Sequence, residues 1–246
     1  MRLAVISDVH GNLRALEAVL ADIKGRGVDI TVNLGDCVTG PLWPKETFEV
    51  LQSLALPTVR GNHDRWIEEL ADAQLSHAGK FARAALQAEQ RRALHSLPAK
   101  IDLGDGILAV HGTPDDDCTC LLEEALADGR FAPARRDVLK TRLKNAAGAS
   151  VVLCGHSHQQ SVIHGPGGCL ILNPGSVGCP VFADIPFAAN LEYRSPHARY
   201  AVLTRRNGNW RAELLALEYD WASASACALE NGRPEWAMAL SSGVVG

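Results

Sequence analysis

Five short segments, each closing an apolar run, carry side chains able to bind metal: Asp8-Val9-His10, Gly35-Asp36, Gly61-Asn62-His63-Asp64, His111-Gly112 and Gly155-His156-Ser157-His158. Carboxylate and amide oxygens suit hard divalent ions, whereas imidazole suits Mn²⁺, Fe and Zn²⁺, so the mixture points to a transition metal rather than Ca²⁺. Asp8 and His10 stand one residue apart on an extended segment and reach one ion. His156 and His158 repeat that spacing and can diverge toward two. Asp36 follows a glycine that lets the backbone approach closely, and its two oxygens make it the natural bridge. A pair of cations about 3.5–4 Å apart clamps the attacking and leaving oxygens of an in-line displacement at phosphorus. The expected chemistry is therefore hydrolysis of a phosphate ester. Each fragment alone also reads as an ordinary turn, because Asp and Gly favour turns. Five in series after apolar strands match the place where α/β sheets hold ligands.

The elements that must position these residues are readable from periodicity. Leu3 to Ile6 is an apolar run, and Leu13, Leu16, Leu20 and Ile23 form one face of a helix that stops at Gly25 and Gly27. The pattern returns with Ile30 to Leu34, a helix opened by Pro44, and Thr58-Val59 before Gly61. A helix is predicted over Ala82 to Leu97, stopped by Pro98. Beyond it, Ile101–Leu103 with Ile107–Val110, Val162-Ile163 with Leu170–Leu172, and Ala201–Thr204 with Trp210–Leu217 flank turn residues and predict hairpins. Helices are predicted over Leu121–Ala127 and Pro133–Asn145. The sum is an α/β (α+β) fold, a four-layer αββα sandwich of two mixed β-sheets packed face to face with helices outside. A single domain over 1–246 is expected, with a core of 1–217 and a helical extension at 218–246 broken at Gly232 and Pro234. The role of that extension is not legible.

The chain has 246 residues, 47% hydrophobic, enough for one large core. With 28 acidic against 24 basic residues the net charge is −4, which argues against general nucleic-acid binding. Met1 leads straight into the first strand and no run of 18 apolar residues occurs, so neither a cleaved leader nor a membrane span is expected, and the location expected is cytoplasmic. The seven cysteines match no disulfide framework, although Cys118-Thr119-Cys120 has the form of a weak soft-metal pair.

The strings Ser7-Asp8-Val9-His10-Gly11-Asn12, Asn33-Leu34-Gly35-Asp36, Arg60-Gly61-Asn62-His63-Asp64, Val110-His111-Gly112-Thr113-Pro114, Cys154-Gly155-His156-Ser157-His158 and Asn173-Pro174-Gly175-Ser176-Val177-Gly178 resemble the calcineurin-like metallophosphoesterase superfamily. They look most like its small bacterial and archaeal phosphodiesterase branch. The resemblance implies two divalent ions, Mn²⁺ ahead of Fe or Zn²⁺. It places Asp8, His10 and His158 on the first ion, Asn62, His111 and His156 on the second, and Asp36 on both. It also implies a phosphodiester or phosphoanhydride substrate, with nucleotides as candidates; the expected nucleophile is a hydroxide between the ions, because metal binding lowers the pKa of water from 15.7 toward about 7.

His63 follows Asn62 and is assigned as general acid, with Asp64 orienting its ring and favouring the imidazolium; the simpler reading is electrostatic binding of phosphate. Asn12 either lines an anion site at the first helix start or caps that helix. Arg60 either contacts phosphate or pairs with an acid. Ser176 reads as a turn residue supporting the site. Trp43 either stacks a nucleobase or packs on its own helix. Asp115-Asp116-Asp117 either repels a polyanion or forms a turn. The irregular stretch between Gly178 and Tyr200 is expected to border the cleft, with Arg194, His197 or Arg199 meeting substrate. The alternatives to a phosphodiesterase are a phosphomonoesterase or protein phosphatase, and a non-catalytic protein-binding scaffold on the same fold.

Overall fold

The computed structural model describes residues 1–127, 130–146, 148–182 and 191–244. The chain opens with β1 (Arg2–Ile6), α1 (Leu13–Lys24), β2 (Ile30–Asn33), α2 (Pro44–Leu54) and α3 (Asn62–Glu69). Two further helices, α4 (His77–Ala85) and α5 (Ala88–His95), lead to strands β3 (Lys100–Asp102) and β4 (Ile107–Val110). A small hairpin, β5 (Glu123–Ala125) and β6 (Phe131–Pro133), precedes α6 (Arg136–Arg142), β7 (Val151–Leu153), β8 (Ser161–His164) and β9 (Leu170–Asn173). The last part comprises β10 (Val181–Phe182), β11 (Leu191–Glu192), β12 (Ala198–Arg206), β13 (Asn209–Leu217), α7 (Trp221–Glu230) and α8 (Pro234–Ser242).

Two mixed sheets carry the site. The first runs β13-β12-β1-β2, with β1 and β2 parallel and β12 antiparallel to β1. The second runs β3-β4-β7-β9-β8, with β4, β7 and β9 parallel. Strand alternation explains the layers, because successive side chains point to opposite faces. Leu3, Val5, Val32, Ala201 and Leu203 of the first sheet meet Ile107, Ala109, Val151, Leu153 and Leu172 of the second in one buried cluster. The opposite face of the first sheet, with Ala4, Ile6, Tyr200 and Val202, packs on Leu16, Val19 and Ile23 of α1. Leu108, Val110, Val152 and Ile171 cover the outer face of the second sheet with Leu121, Leu122 and Leu139. The result is the four-layer sandwich, and the three predicted hairpins are β3-β4, β8-β9 and β12-β13.

Two helix predictions are corrected. The helix expected over Ala82–Leu97 is two helices, because Leu86 drops into the core and the Gln90 side chain accepts from the Gln87 backbone N–H at 2.9 Å, capping a new start. Leu121–Ala127 is not helical. Leu121 and Leu122 are buried under the second sheet, and Glu123–Ala125 pairs with Phe131–Pro133, which also removes the first residues from the helix expected over Pro133–Asn145. Among the described residues no helix is long and apolar enough to cross a membrane.

Candidate metal centre

Parallel strands of both sheets end at one edge of the sandwich. Asp8 and His10 follow β1, Asp36 follows β2, His111 follows β4, and His156 and His158 follow β7, while Asn62 opens α3. The loops interlock: the Asp8 N–H donates to Gly35 O at 2.9 Å, His10 N–H to Asp36 O at 3.0 Å and Gly155 N–H to His111 O at 2.7 Å. The two sheets are tied where His156 N–H donates to Asp8 Oδ2 at 3.2 Å. Ser176 supports this edge, its hydroxyl donating to Asp8 O at 2.7 Å.

The backbone here is strained. Asp8, His10, Asp36, His156 and His158 all have positive φ, between 50° and 68°, a region that costs a residue with a side chain on the order of 1–3 kcal/mol. The tight reversals turn side chains of both sheets into one volume. Gly61 lets the backbone pack against the Asp36 carboxylate, since a Cβ there would lie 2.1 Å from Asp36 Oδ1.

All seven side chains are buried, and six of them converge in two groups, Asp8 with His10 and His158, and Asp36 with His111 and His156, donor atoms within 4.8 Å in each. Asp36 Oδ2 stands between them, 3.9 Å from His10 Nε2 and 3.3 Å from His111 Nε2. Asn62 Oδ1 adds a donor 3.0 Å from His111 Nε2.

Each ring has one nitrogen tethered to a backbone carbonyl: His10 Nδ1 to Thr39 O (2.8 Å), His111 Nδ1 to Leu34 O (2.7 Å), His158 Nδ1 to Val181 O (2.8 Å) and His156 Nε2 to Cys118 O (2.9 Å). A carbonyl only accepts, so each tethered nitrogen carries the proton and the other nitrogen of the neutral ring keeps a lone pair. This is the arrangement metal-binding histidines adopt. It leaves lone pairs opposed. His10 Nε2 and His158 Nε2 are 3.0 Å apart, His111 Nε2 faces Asn62 Oδ1 and Asp36 Oδ2, and buried Asp8 Oδ1 has no hydrogen-bond partner. Cations reconcile those contacts, so the donor set fits two divalent ions.

Titration follows the same logic. Burial holds His158 well below the ordinary histidine value and His156 down to about 3, keeping both rings neutral and able to donate. Burial also opposes charge on His111, but Asp36 and then Asp8 outweigh it and push the ring up to about 10. Burial raises Asp8 to about 6, whereas at Asp36 the pull of His111 and His63 overcomes burial and holds the carboxyl well below its usual range. Without metal, the proton on His111 takes the cation's place. Because the folded value lies above the unfolded one, its stabilisation is complete below about pH 6.5 and is lost as pH rises through about 10. Loading Mn²⁺ onto metal-free protein at pH 8 is therefore expected to release about one proton per chain from this ring, measurable by calorimetry in buffers of different ionisation enthalpy. Metal uptake with no proton release would contradict this account.

The remaining sequence-derived residues are placed differently. His63 lies half-buried at the cleft wall, its ring 5.4 Å from that of His10 and 5.0 Å from that of Trp66. Burial pushes its ring down to about 4. Asp64 does not orient that ring: its carboxylate accepts from the N–H groups of Asp36, Cys37 and Gly61 at 2.9–3.0 Å, and burial followed by Asp36 raises it to about 6. Its work is to hold the Asp36 loop. Asn12 is the cap of α1, accepting from Ala15 N–H and donating to Gly178 O and Tyr219 Oη, with nothing left for an anion. Arg60 donates to His95 O and lines a side cavity beside His111. Arg194 is exposed, His197 bonds Ser195 and packs on Trp221, and Arg199 lies over Tyr193, so none of the three lines the cleft. Phe187 and Pro186 lie outside the described residues. Trp43 packs in the cluster around Leu42 and Leu240 under Arg14, and not in the cleft. The Asp115–117 run is a turn: Asp117 pairs with Arg65 at 2.7 Å and Asp115 accepts from Asn145.

The cleft has two arms sharing Thr39, His63, Ser76, His156 and Phe182. One, about 500 Å³, is bounded by Trp66, Ile67 and Leu75. The other, about 270 Å³, is bounded by Arg233, Glu235 and Trp236 of the C-terminal helices. Sequence reasoning missed this last wall; the only signal was an Arg-Pro-Glu-Trp string interrupting an Ala- and Ser-rich tail.

Residues 1–195 match the model of the calcineurin-like phosphoesterase superfamily domain. An uncharacterized protein of Methanocaldococcus jannaschii is 28% identical over 258 aligned residues, covering 95% of this chain and 94% of the relative. The crystal structure of a metallophosphoesterase from Sphaerobacter thermophilus superposes with a TM-score of 0.75 at 29% identity, covering 99% of this chain and all of that one. A hypothetical protein of Pyrococcus horikoshii superposes with a TM-score of 0.77 at 19% identity, covering 100% and 99% of the two chains, a likeness of fold.

Proposed function

This chain belongs to the calcineurin-like phosphoesterase superfamily, and we propose that it is a dinuclear metal-dependent phosphohydrolase acting on a phosphodiester or phosphoanhydride. The observation that carries the reading is the set of four tethered imidazoles whose free lone pairs face Asp8, Asp36, Asn62 and each other. In it Asp8, His10 and His158 would hold one ion, Asn62, His111 and His156 the other, and Asp36 would serve both. The N and O donors favour Mn²⁺, Fe or Zn²⁺. Such ions supply water activation and neutralise charge at phosphorus.

The chain's own groups do the rest. Asp64 and the His63 N–H, which donates to Asp36 Oδ1 at 2.9 Å, fix the bridging carboxylate. His63 borders both arms, so a leaving group in either lies beside its ring, where it donates a proton to the departing oxygen. Two arms flanking one centre suit an ester with a substituent on each side, which favours a diester or anhydride over a monoester. A nucleotide is one such substrate.

The direct test is hydrolysis of bis(4-nitrophenyl) phosphate by metal-stripped protein with and without added Mn²⁺. Turnover is expected only with the ion. No turnover with Mn²⁺, Fe²⁺ or Zn²⁺ bound at about two per chain would refute the reading and favour the scaffold.

A further inference from the structure

The smaller arm is asymmetric in charge. Its floor is formed by His10, Asp36 and His158, one wall by Ser76 and Ala78, and the other by Arg233, Trp236 and Ala239 of the C-terminal helices. Among the described residues the lining of the larger arm contains no lysine or arginine. The Trp236 ring lies 6.2 Å from that of His10, and Gly40 packs against the His10 backbone beside it, where a Cβ would fall 2.0 Å from His10 O. Hairpin α7-α8 is fixed in this position from several sides. Leu42 packs among Ala224, Ala228, Ala237 and Leu240, Asn231 Nδ2 donates to Pro41 O at 2.9 Å, and Arg194 N–H donates to Gly243 O at 2.9 Å.

Arg233 is only partly matched there. Its Nε and Nη2 engage Glu235, but Nη1 is buried without a hydrogen-bond partner. An unmatched buried donor is destabilising, so Nη1 gains from a partner that the fold itself does not supply. Its planar fork fits phosphate or carboxylate in two-point contact. Glu235 is the neighbouring acid and keeps 43% of its side chain exposed, so it can yield to a competing anion.

We propose that Arg233 and Trp236 form a subsite for a second anionic group and an adjoining planar ring, so that the substrate is an organic phosphodiester or anhydride with a negative charge beyond the scissile phosphate. This deepens the phosphohydrolase reading and rests on it for the position of the reacting phosphorus. Trp236 takes the ring face nearest the ions, and Arg233 takes the distal anion.

A matched pair of substrates tests it: thymidine 5′-(4-nitrophenyl phosphate) and the same compound bearing a 3′-phosphate, with the Mn²⁺-loaded full chain. The wild type is expected to favour the 3′-phosphorylated compound in kcat/KM by about ten-fold, the worth of one charge-assisted hydrogen bond. In Arg233→Met that ratio falls to about one, in Arg233→Lys it is intermediate, and in Glu235→Gln it rises because the competing carboxylate is gone. Calorimetric titration with thymidine 3′,5′-bisphosphate against thymidine 5′-phosphate gives the same comparison without turnover. A wild-type ratio near one in affinity and rate, or a ratio that Arg233→Met and Arg233→Lys both leave unchanged, overturns the subsite. Discrimination in binding without hydrolysis of either ester supports the subsite and refutes the phosphohydrolase reading.

Discussion

Asp36→Ala is expected to abolish activity and to strip the protein of metal, with kcat falling by more than about 10³-fold and metal content dropping from about two ions per chain to one or fewer. The magnitude exceeds the 10–100-fold typical for losing a group that merely supports a ligand, because this carboxylate serves both groups of donors. Oδ2 lies within 4 Å of His10 and His111, and Oδ1 is held by the His63 N–H at the start of α3. Its removal also leaves His111 without the acid that holds up its proton affinity. Elemental analysis beside bis(4-nitrophenyl) phosphate turnover checks both halves. Retention of two ions with full turnover would remove Asp36 from the centre.

The second large effect belongs to His63. Its replacement by alanine is expected to lower kcat by about 10²–10⁴-fold while metal content is unchanged, since proton transfer to the leaving oxygen contributes on that order. Burial holds the free ring at about 4, so near neutrality it is uncharged until negative charge arrives at the cleft. A bound phosphate raises the ring's proton affinity, and the proton it then takes up is the one it donates. The sign of the pH dependence follows: kcat falls on the alkaline side as His63 in the complex loses its proton, and His63→Ala lacks that descending limb. The loss is expected to be larger for an alkyl leaving group than for nitrophenolate, which departs without help. Wild-type kcat in the variant with an alkyl ester, or an unaltered alkaline limb, would reject the assignment.

What could be read in advance was what local spacing encodes. The apolar runs of β1 and β4, the stop at Gly25, the Pro44 start and the Asn207-Gly208 turn depend on neighbours within a few residues, and the elements formed where they pointed. The metal-binding types were legible because each follows an apolar run. Failures came where distant partners decide. Leu121 and Leu122 are consistent with a helix until the second sheet buries them, and Leu86 splits a predicted helix by entering the core. Asp64 stands next to His63 in sequence, yet its carboxylate accepts from backbone N–H groups of residues 36 and 37. Arg194 and His197 sit in an irregular stretch suited to binding, but the cleft wall is built from Arg233 and Trp236, brought to His10 by packing that no short window contains.

The place of β1 in its sheet has a consequence for assembly. It is an inner strand, with β2 on one side and β12 on the other, and Arg2 pairs with Thr204. As synthesis proceeds, Asp8 and His10 emerge early but β1 remains without one flank until β12, about 190 residues later, has left the ribosome. Pairings so remote along the chain form slowly, because loop closure precedes any compensating contact. Metal uptake at Asp8 and His10 is therefore expected only after β12 has paired with β1, and nascent chains halted before β12 are expected to hold no stable metal.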